Sequence, residues 1–221
     1  MQPTSTAGRK KLDPDPRVRV EIISAASTLV REEGVRALSI AGVLKRANLS
    51  TRAFYRHFDS KNELVTAVFV EMARVEKLRL RSRMAKYDDP VRAVAEWIDG
   101  RLDLAFNEQI RSDLRKMSLE AQSQMFADPE LVGPAYTEIL LPLREQLERG
   151  SETGAFADID PANEALCIQG TVWANVERHW ATGDCELTGL RERVVRFCLR
   201  GLGVAPDAIA EVLREFDSTP T

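Results

Sequence analysis

The chain is poor in the residues that staple, ligate or span. It has three cysteines in 221 residues, Cys167, Cys185 and Cys198, an odd number with no Cys-x-x-Cys pair. That excludes a disulfide framework and favours a reducing compartment. Two histidines do not supply a His-rich metal centre, and neither a metal nor a cofactor is expected. Twelve glycines and ten prolines are too few for a collagenous or low-complexity chain. No apolar run approaches the roughly 20 residues of a membrane span. Residues 1–11 are polar and then basic with no apolar segment behind them, unlike a secretory signal. The expectation is a cytoplasmic protein. Walker, G-x-S-x-G, H-E-x-x-H and G-x-G-x-x-G motifs are all missing, and Glu177-Arg178-His179 lacks the Glu-x-x-His spacing of di-iron bundles, so no enzyme is expected.

What is present is an ordinary globular composition, 44% apolar and 29% charged. The charge is unevenly placed. Residues 1–61 carry 12 Lys/Arg against 6 Asp/Glu, whereas residues 62–221 carry 19 against 28. A basic head on an acidic body is the pattern of a nucleic-acid-binding module joined to a domain with another task. Arg9, Lys10 and Lys11 supply half of the basic excess. They lie in a segment, 1–16, whose Pro3, Gly8, Pro14 and Pro16 predict a flexible arm. Such an arm either reaches a minor groove or only keeps the chain soluble.

Apolar periodicity predicts helices throughout and no strands. Val18, Ile22, Ala25, Ala26, Leu29 and Val30 form one face of a first helix from about Arg17, ended by Gly34. Ser39 caps a short helix over about 40–46, Asn48 turns the chain, and Ser50 caps another over about 51–57. Ser60-Lys61-Asn62-Glu63 reads as a capping box opening a longer helix. In the body, helices begin near Asp88-Asp89-Pro90, Asp128-Pro129 and Asp160-Pro161, and Pro142 is expected to kink or break the second of them. Residues 165–180 are apolar on most sides, which predicts a helix buried in the core or held between two subunits.

Two short helices joined by a three-residue turn make a helix-turn-helix, in which one helix enters the DNA major groove and the other crosses the backbone. Ile40, Val43, Leu44, Leu49 and Phe54 lock the pair together, which leaves Lys45, Arg46, Thr51, Arg52, Tyr55, Arg56 and His57 to face outward. Thr51 and Arg52 open the second helix and are placed to read bases. Ser39 is placed to donate to a phosphate, and Lys61 lies in a first helical turn, where free N–H groups favour an anion. Arg56 fits either role. The alternatives are a packed Tyr55 and solvated Arg52 and Arg56.

The string Thr51-Arg52-Ala53-Phe54-Tyr55-Arg56-His57-Phe58-Asp59-Ser60-Lys61-Asn62-Glu63-Leu64 resembles the signature of the TetR family of transcriptional regulators. Ile22-Ile23-Ser24-Ala25-Ala26 and Glu33-Gly34 resemble that family's first helix and its end. The likeness covers about residues 17–69. Asn48 stands where the family usually has Gly, and Arg52 where it usually has a small residue. The second departure changes which bases are read rather than whether the helix docks.

The resemblance implies an all-α chain in which a helix-turn-helix DNA-binding domain (17–66) precedes a helical ligand-binding and dimerisation domain (67–221). It implies phosphate contacts from Tyr55, His57 and Lys61, and a homodimer formed through the C-terminal helices at about 160–202. It further implies a double-stranded DNA operator with palindromic half-sites, and a ligand-released repressor. The alternative is a helix-turn-helix activator or a ligand-independent DNA-binding regulator. Trp97, Phe106, Met117, Met125, Trp173 and His179 are the pocket candidates, and they suggest a small apolar or aromatic effector; each is also an ordinary core position.

Overall fold

The structure, a computed structural model, describes residues 15–106, 108–183 and 186–218. Among them the chain forms ten α-helices and no strand, the all-α class expected. Residues 1–14, with Arg9, Lys10 and Lys11, and Cys185 lie outside the described residues. Contacts divide the chain into two units after Val68.

The first unit contains α1 (Pro16–Glu33), α2 (Ile40–Ala47), α3 (Thr51–Phe54) and the start of α4 (Lys61–Met84). Local chemistry sets each boundary. Asp15 accepts the Arg17 N–H at 2.9 Å, and Pro16 occupies the first turn, where its missing N–H is not needed. Gly34 leaves α1 at φ 81°, a value L side chains avoid. Ser39 accepts the Gly42 N–H at 3.1 Å to open α2. Asn48 closes it at φ 53°, ψ 45°, the left-handed region foreseen for this residue. Ser50 accepts the Ala53 N–H at 3.3 Å to open α3.

α3 is shorter than expected. After Phe54 the backbone tightens, with the His57 N–H reaching the Phe54 carbonyl at 2.8 Å, three residues back instead of four. The buried residues of this unit include Ile22, Ala26, Val30, Val43, Leu44, Phe54, Phe58 and Leu64. Phe54 and Phe58 lie 5.6 Å apart between ring centres, and the Arg19 guanidinium covers the Phe58 ring. Ile40 and Leu49, assigned from the sequence to the same lock, are only half-buried.

The second unit contains the rest of α4 with α5 (Pro90–Phe106), α6 (Glu108–Ala127), α7 (Pro129–Glu152), α8 (Pro161–Thr182), α9 (Leu187–Gly201) and α10 (Pro206–Ser218). α5 is its centre: it touches α6, α7, α8 and α9, and residues 93–102 are buried without interruption. α10 packs on α9. α7 runs unbroken through both Pro134 and Pro142, so the expected break at Pro142 does not occur. A buried stripe through Ile139, Leu140, Pro142, Leu143 and Leu147 holds the helix together where a backbone hydrogen bond is missing. Where α7 ends, Gly150 lies so close to the buried Phe156 ring that a Cβ would come within 2.2 Å of it.

Of the two alternatives read from its composition, burial in the core or a place between two subunits, α8 does not meet the first on all sides in the single chain. Asp160 accepts the Ala162 and Asn163 N–H groups, and Gly183 ends the helix at φ 70°. Ala165, Ile168, Val172, Trp173 and Val176 are buried, but Ala162, Leu166, Gly170 and Ala174 form an exposed stripe at four-residue spacing. Leu166 is 58% exposed in the single chain, as is Phe197 on α9 at 66%. No described helix is long and apolar enough to cross a membrane.

Candidate nucleic-acid interface and effector cavity

Three caps in close succession fix the first site. Ser39, Ser50 and Ser60 each take an N–H of the helix that follows, and Glu63 returns to accept from the Asp59 N–H at 2.6 Å. That return bond reaches one residue further back than an ideal capping box. α2, α3 and the start of α4 are therefore set by their own side chains before packing acts.

On this frame Thr51, Arg52, Tyr55 and Arg56 are exposed, and His57 and Lys61 are half-exposed. Tyr55 is 57% exposed; its ring edge meets Phe54 at 5.2 Å and 86°, so the buried ring holds the exposed one in place. Ser39 is exposed although its hydroxyl oxygen is engaged as the cap, which leaves its proton free to be donated. Arg46, read as another outward cation, is instead held by both carboxylate oxygens of Glu32 on α1 at 2.6 and 2.9 Å. Its hydrogen bond keeps the Glu32 carboxyl below the ordinary carboxylate range. The pair braces α2 against α1, a role that sequence spacing did not reveal.

The second site lies wholly within the second unit. A cavity of about 30 Å3 opens between α4 and α8. Met72 and Glu76 contribute from α4, Arg101 from α5, Ser118 and Ala121 from α6, Ala135, Tyr136 and Ile139 from α7, and Trp173 from α8. As it stands it has room for a water molecule or two and not for an aromatic ring. Of the pocket candidates only Trp173 lines it. Trp97 is fully buried, with its indole N–H donating to the Ile139 carbonyl at 3.4 Å, which makes it core between α5 and α7. Phe106 stacks on His179 at 4.0 Å, Met117 is buried and Met125 half-buried, and none of these lines this cavity.

The cavity wall is more polar than its apolar candidates suggested. Glu76 is 3% exposed, and the Arg79 guanidinium grips both its oxygens at 2.8 Å. Arg101 Nη1 adds a bond at 3.2 Å. Burial pushes the Glu76 carboxyl up, but the Arg79 and Arg101 interactions outweigh it and hold the group below the ordinary range. Further along α4, Arg83 pairs with Glu96, Asp99 and Asp103 of α5, and Asp99 also receives Arg191 of α9. Four guanidinium groups thus tie α4, α5 and α9 together. Burial raises the Glu96 and Asp103 carboxyls, and the nearby charge of Asp99 adds to both shifts. No group of three or more His, Cys, Asp and Glu residues suited to a metal occurs among the described residues.

A capped, exposed helix-turn-helix at the N-terminal end of a helical chain is the arrangement by which transcriptional regulators dock on DNA. Residues 22–68 match the sequence model of the bacterial regulatory proteins of the tetR family. No curated protein sequence matches it. Solved structures share its fold. RolR in complex with resorcinol is 23% identical, with 90% of this chain and 93% of that one covered and a TM-score of 0.60. FadR from Bacillus subtilis in complex with stearoyl-CoA is 19% identical over 82% and 98%, with a TM-score of 0.63. GusR from Salmonella enterica is 18% identical over 88% and 100%, with a TM-score of 0.65.

Proposed function

We propose that the chain is a ligand-released repressor that binds a palindromic operator as a homodimer. The observation that carries this reading is the exposed face of Thr51, Arg52, Tyr55 and Arg56 on α3 and the tight turn that continues it, capped and braced from behind. Thr51 and Arg52 read base edges, where an Arg paired with guanine contributes roughly 1–3 kcal/mol of discrimination. Ser39, Tyr55, His57 and Lys61 hold phosphates, and Arg56 serves whichever is nearer. The exposed stripe of α8 and Phe197 of α9 supply the dimer surface, within about 160–202; Gly170 and Ala174 allow a partner helix to come close. The two structural neighbours solved with resorcinol and stearoyl-CoA favour a small-molecule effector. By position the site is the cavity beside Trp173, and an effector of ring size enters only by pushing its lining side chains apart. The protein acts in the cytoplasm and is not an enzyme.

The test is a gel shift on DNA selected from random sequence with the full chain. Lys61→Ala should weaken binding to every sequence and flatten the salt dependence by about one phosphate's worth, a log–log slope change of roughly 0.9. Arg52→Ala should relax preference at one operator position in each half-site. Retention of full affinity and preference by both variants overturns the interface.

The small size of the cavity favours a second reading, a regulator that answers to no small molecule. Insensitivity of the selected complex to a broad metabolite extract would support it.

A further inference from the structure

Arg101 and Trp173 come from different helices, α5 and α8, and line the same cavity. Each buries an N–H that finds no partner: Nε of Arg101, a residue 5% exposed, and Nε1 of Trp173, 9% exposed. A buried donor without an acceptor is destabilising, and two of them on one cavity wall is a pattern that a ligand resolves. The charges identify that ligand further. Glu76 is the one carboxylate paired with Arg101 among the described residues, and it is already gripped through both oxygens by Arg79. Arg79 is a quarter exposed and also pairs with Asp103 at 3.7 Å, whereas buried Arg101 has only its share of Glu76 and bonds through Nη1 alone. The Nε edge of an arginine is half of the planar fork that takes a carboxylate side-on. The rest of the wall is mostly apolar, Met72, Ala121, Ala135 and Ile139, with Ser118 and Tyr136, whose hydroxyl donates to Gln122.

We infer that the effector of this chain is a small monocarboxylate on an apolar, ring-sized body, its carboxylate held by the Nε edge of Arg101 and the indole N–H of Trp173. The inference rests on the effector site proposed above and narrows its ligand from apolar or aromatic compounds in general to their acids. A neutral compound of the same shape leaves the Arg101 charge and at least one donor unanswered. An amine adds a second cation beside it.

Isothermal titration calorimetry of the full chain decides the matter, with benzoate and phenylacetate set against benzamide, benzyl alcohol and benzylamine. The acids should bind at least about tenfold more tightly than their neutral counterparts, and benzylamine not at all. Arg101→Gln should abolish the gap while leaving benzyl alcohol unchanged. If that variant fails to fold, Arg101→Lys keeps the charge and removes the Nε edge, and Trp173→Phe keeps a ring and removes the N–H. Each should lower benzoate affinity by roughly five- to tenfold with little change for benzyl alcohol. Neutral compounds that bind as tightly as the acids overturn the inference, as does an undiminished acid preference in both Arg101→Lys and Trp173→Phe. A gel shift run alongside separates the two levels. If neutral compounds alone bind and release DNA, only the carboxylate inference falls. If acids bind without releasing DNA, only ligand release falls. If no compound binds, both fall.

Discussion

At Asn48 the peptide takes a conformation that most side chains reach only at a penalty of about 1–2 kcal/mol, and Asn48 is tolerated because its short amide suits the left-handed region. Asn48→Gly should therefore leave thermal stability nearly unchanged, whereas Asn48→Val should lower it by about 1–2 kcal/mol, read by urea unfolding of the full chain. Glu76 makes a sharper demand. Its carboxyl is held below the ordinary range by two arginines, so the stability it contributes is present at neutral pH and is lost as the pH falls through that depressed value. Glu76→Gln leaves buried Arg101 without its carboxylate and should cost about 3 kcal/mol at pH 7. The difference from the unmutated chain should narrow below the ordinary carboxylate range, measured by denaturant midpoints at several pH values. Glu96 and Asp103 act in the opposite sense: burial raises both, so each favours the folded chain at acid pH and loses that contribution as the pH rises through its raised value.

Among the elements, the last turn of α7 has little room for change. Gly150→Ala would drive a methyl into the buried Phe156 ring and should destabilise the body by about 1–3 kcal/mol, seen as a lowered melting temperature. The helices themselves were legible wherever a short-range signal opened them: Ser39, Ser50, Ser60 and Asp160 all cap as their types and spacing predict. The length of α3 was not, because its last residues tighten around buried Phe54 and Phe58, and that choice is made by packing and not by propensity. Pro142 leaves α7 unbroken for the same reason. The exposed face of the head was readable because its residues are near neighbours in sequence. The cavity was not, because its lining comes from five helices and its charged members look like solvated surface when read one at a time. One signal was present: Glu96, Asp99 and Asp103 recur at helical spacing on the same helix as buried Val94, Ile98 and Leu102, as do Glu76, Arg79 and Arg83 beside Leu80. Opposed stripes of acid and arginine on consecutive helices mark a buried network, and Arg101 with it.

For the molecule as a whole, the dimer proposed above makes a chemical prediction. Cys167 is exposed in the single chain and lies next to Leu166 on the open flank of α8. Cys198 is buried, and burial, with a smaller contribution from Cys167, pushes its thiol up to about 12, so it should resist alkylation at neutral pH. In the paired protein Cys167 should be alkylated slowly. Phe197→Glu should convert the dimer to monomer in analytical ultracentrifugation and speed Cys167 labelling at least about tenfold, followed by peptide mass spectrometry. A chain that sediments as a monomer with fast Cys167 labelling from the start would refute the dimer.

The network that ties α4, α5 and α9 draws every one of its cations from arginine. Acetylation, a common way for a cell to erase positive charge, acts on lysine and finds nothing there to neutralise. The helix-turn-helix unit is different, since Lys45 is exposed and Lys61 half-exposed. An acyl group on Lys61 would subtract from the grip on phosphate while the interior of the body stayed as it was.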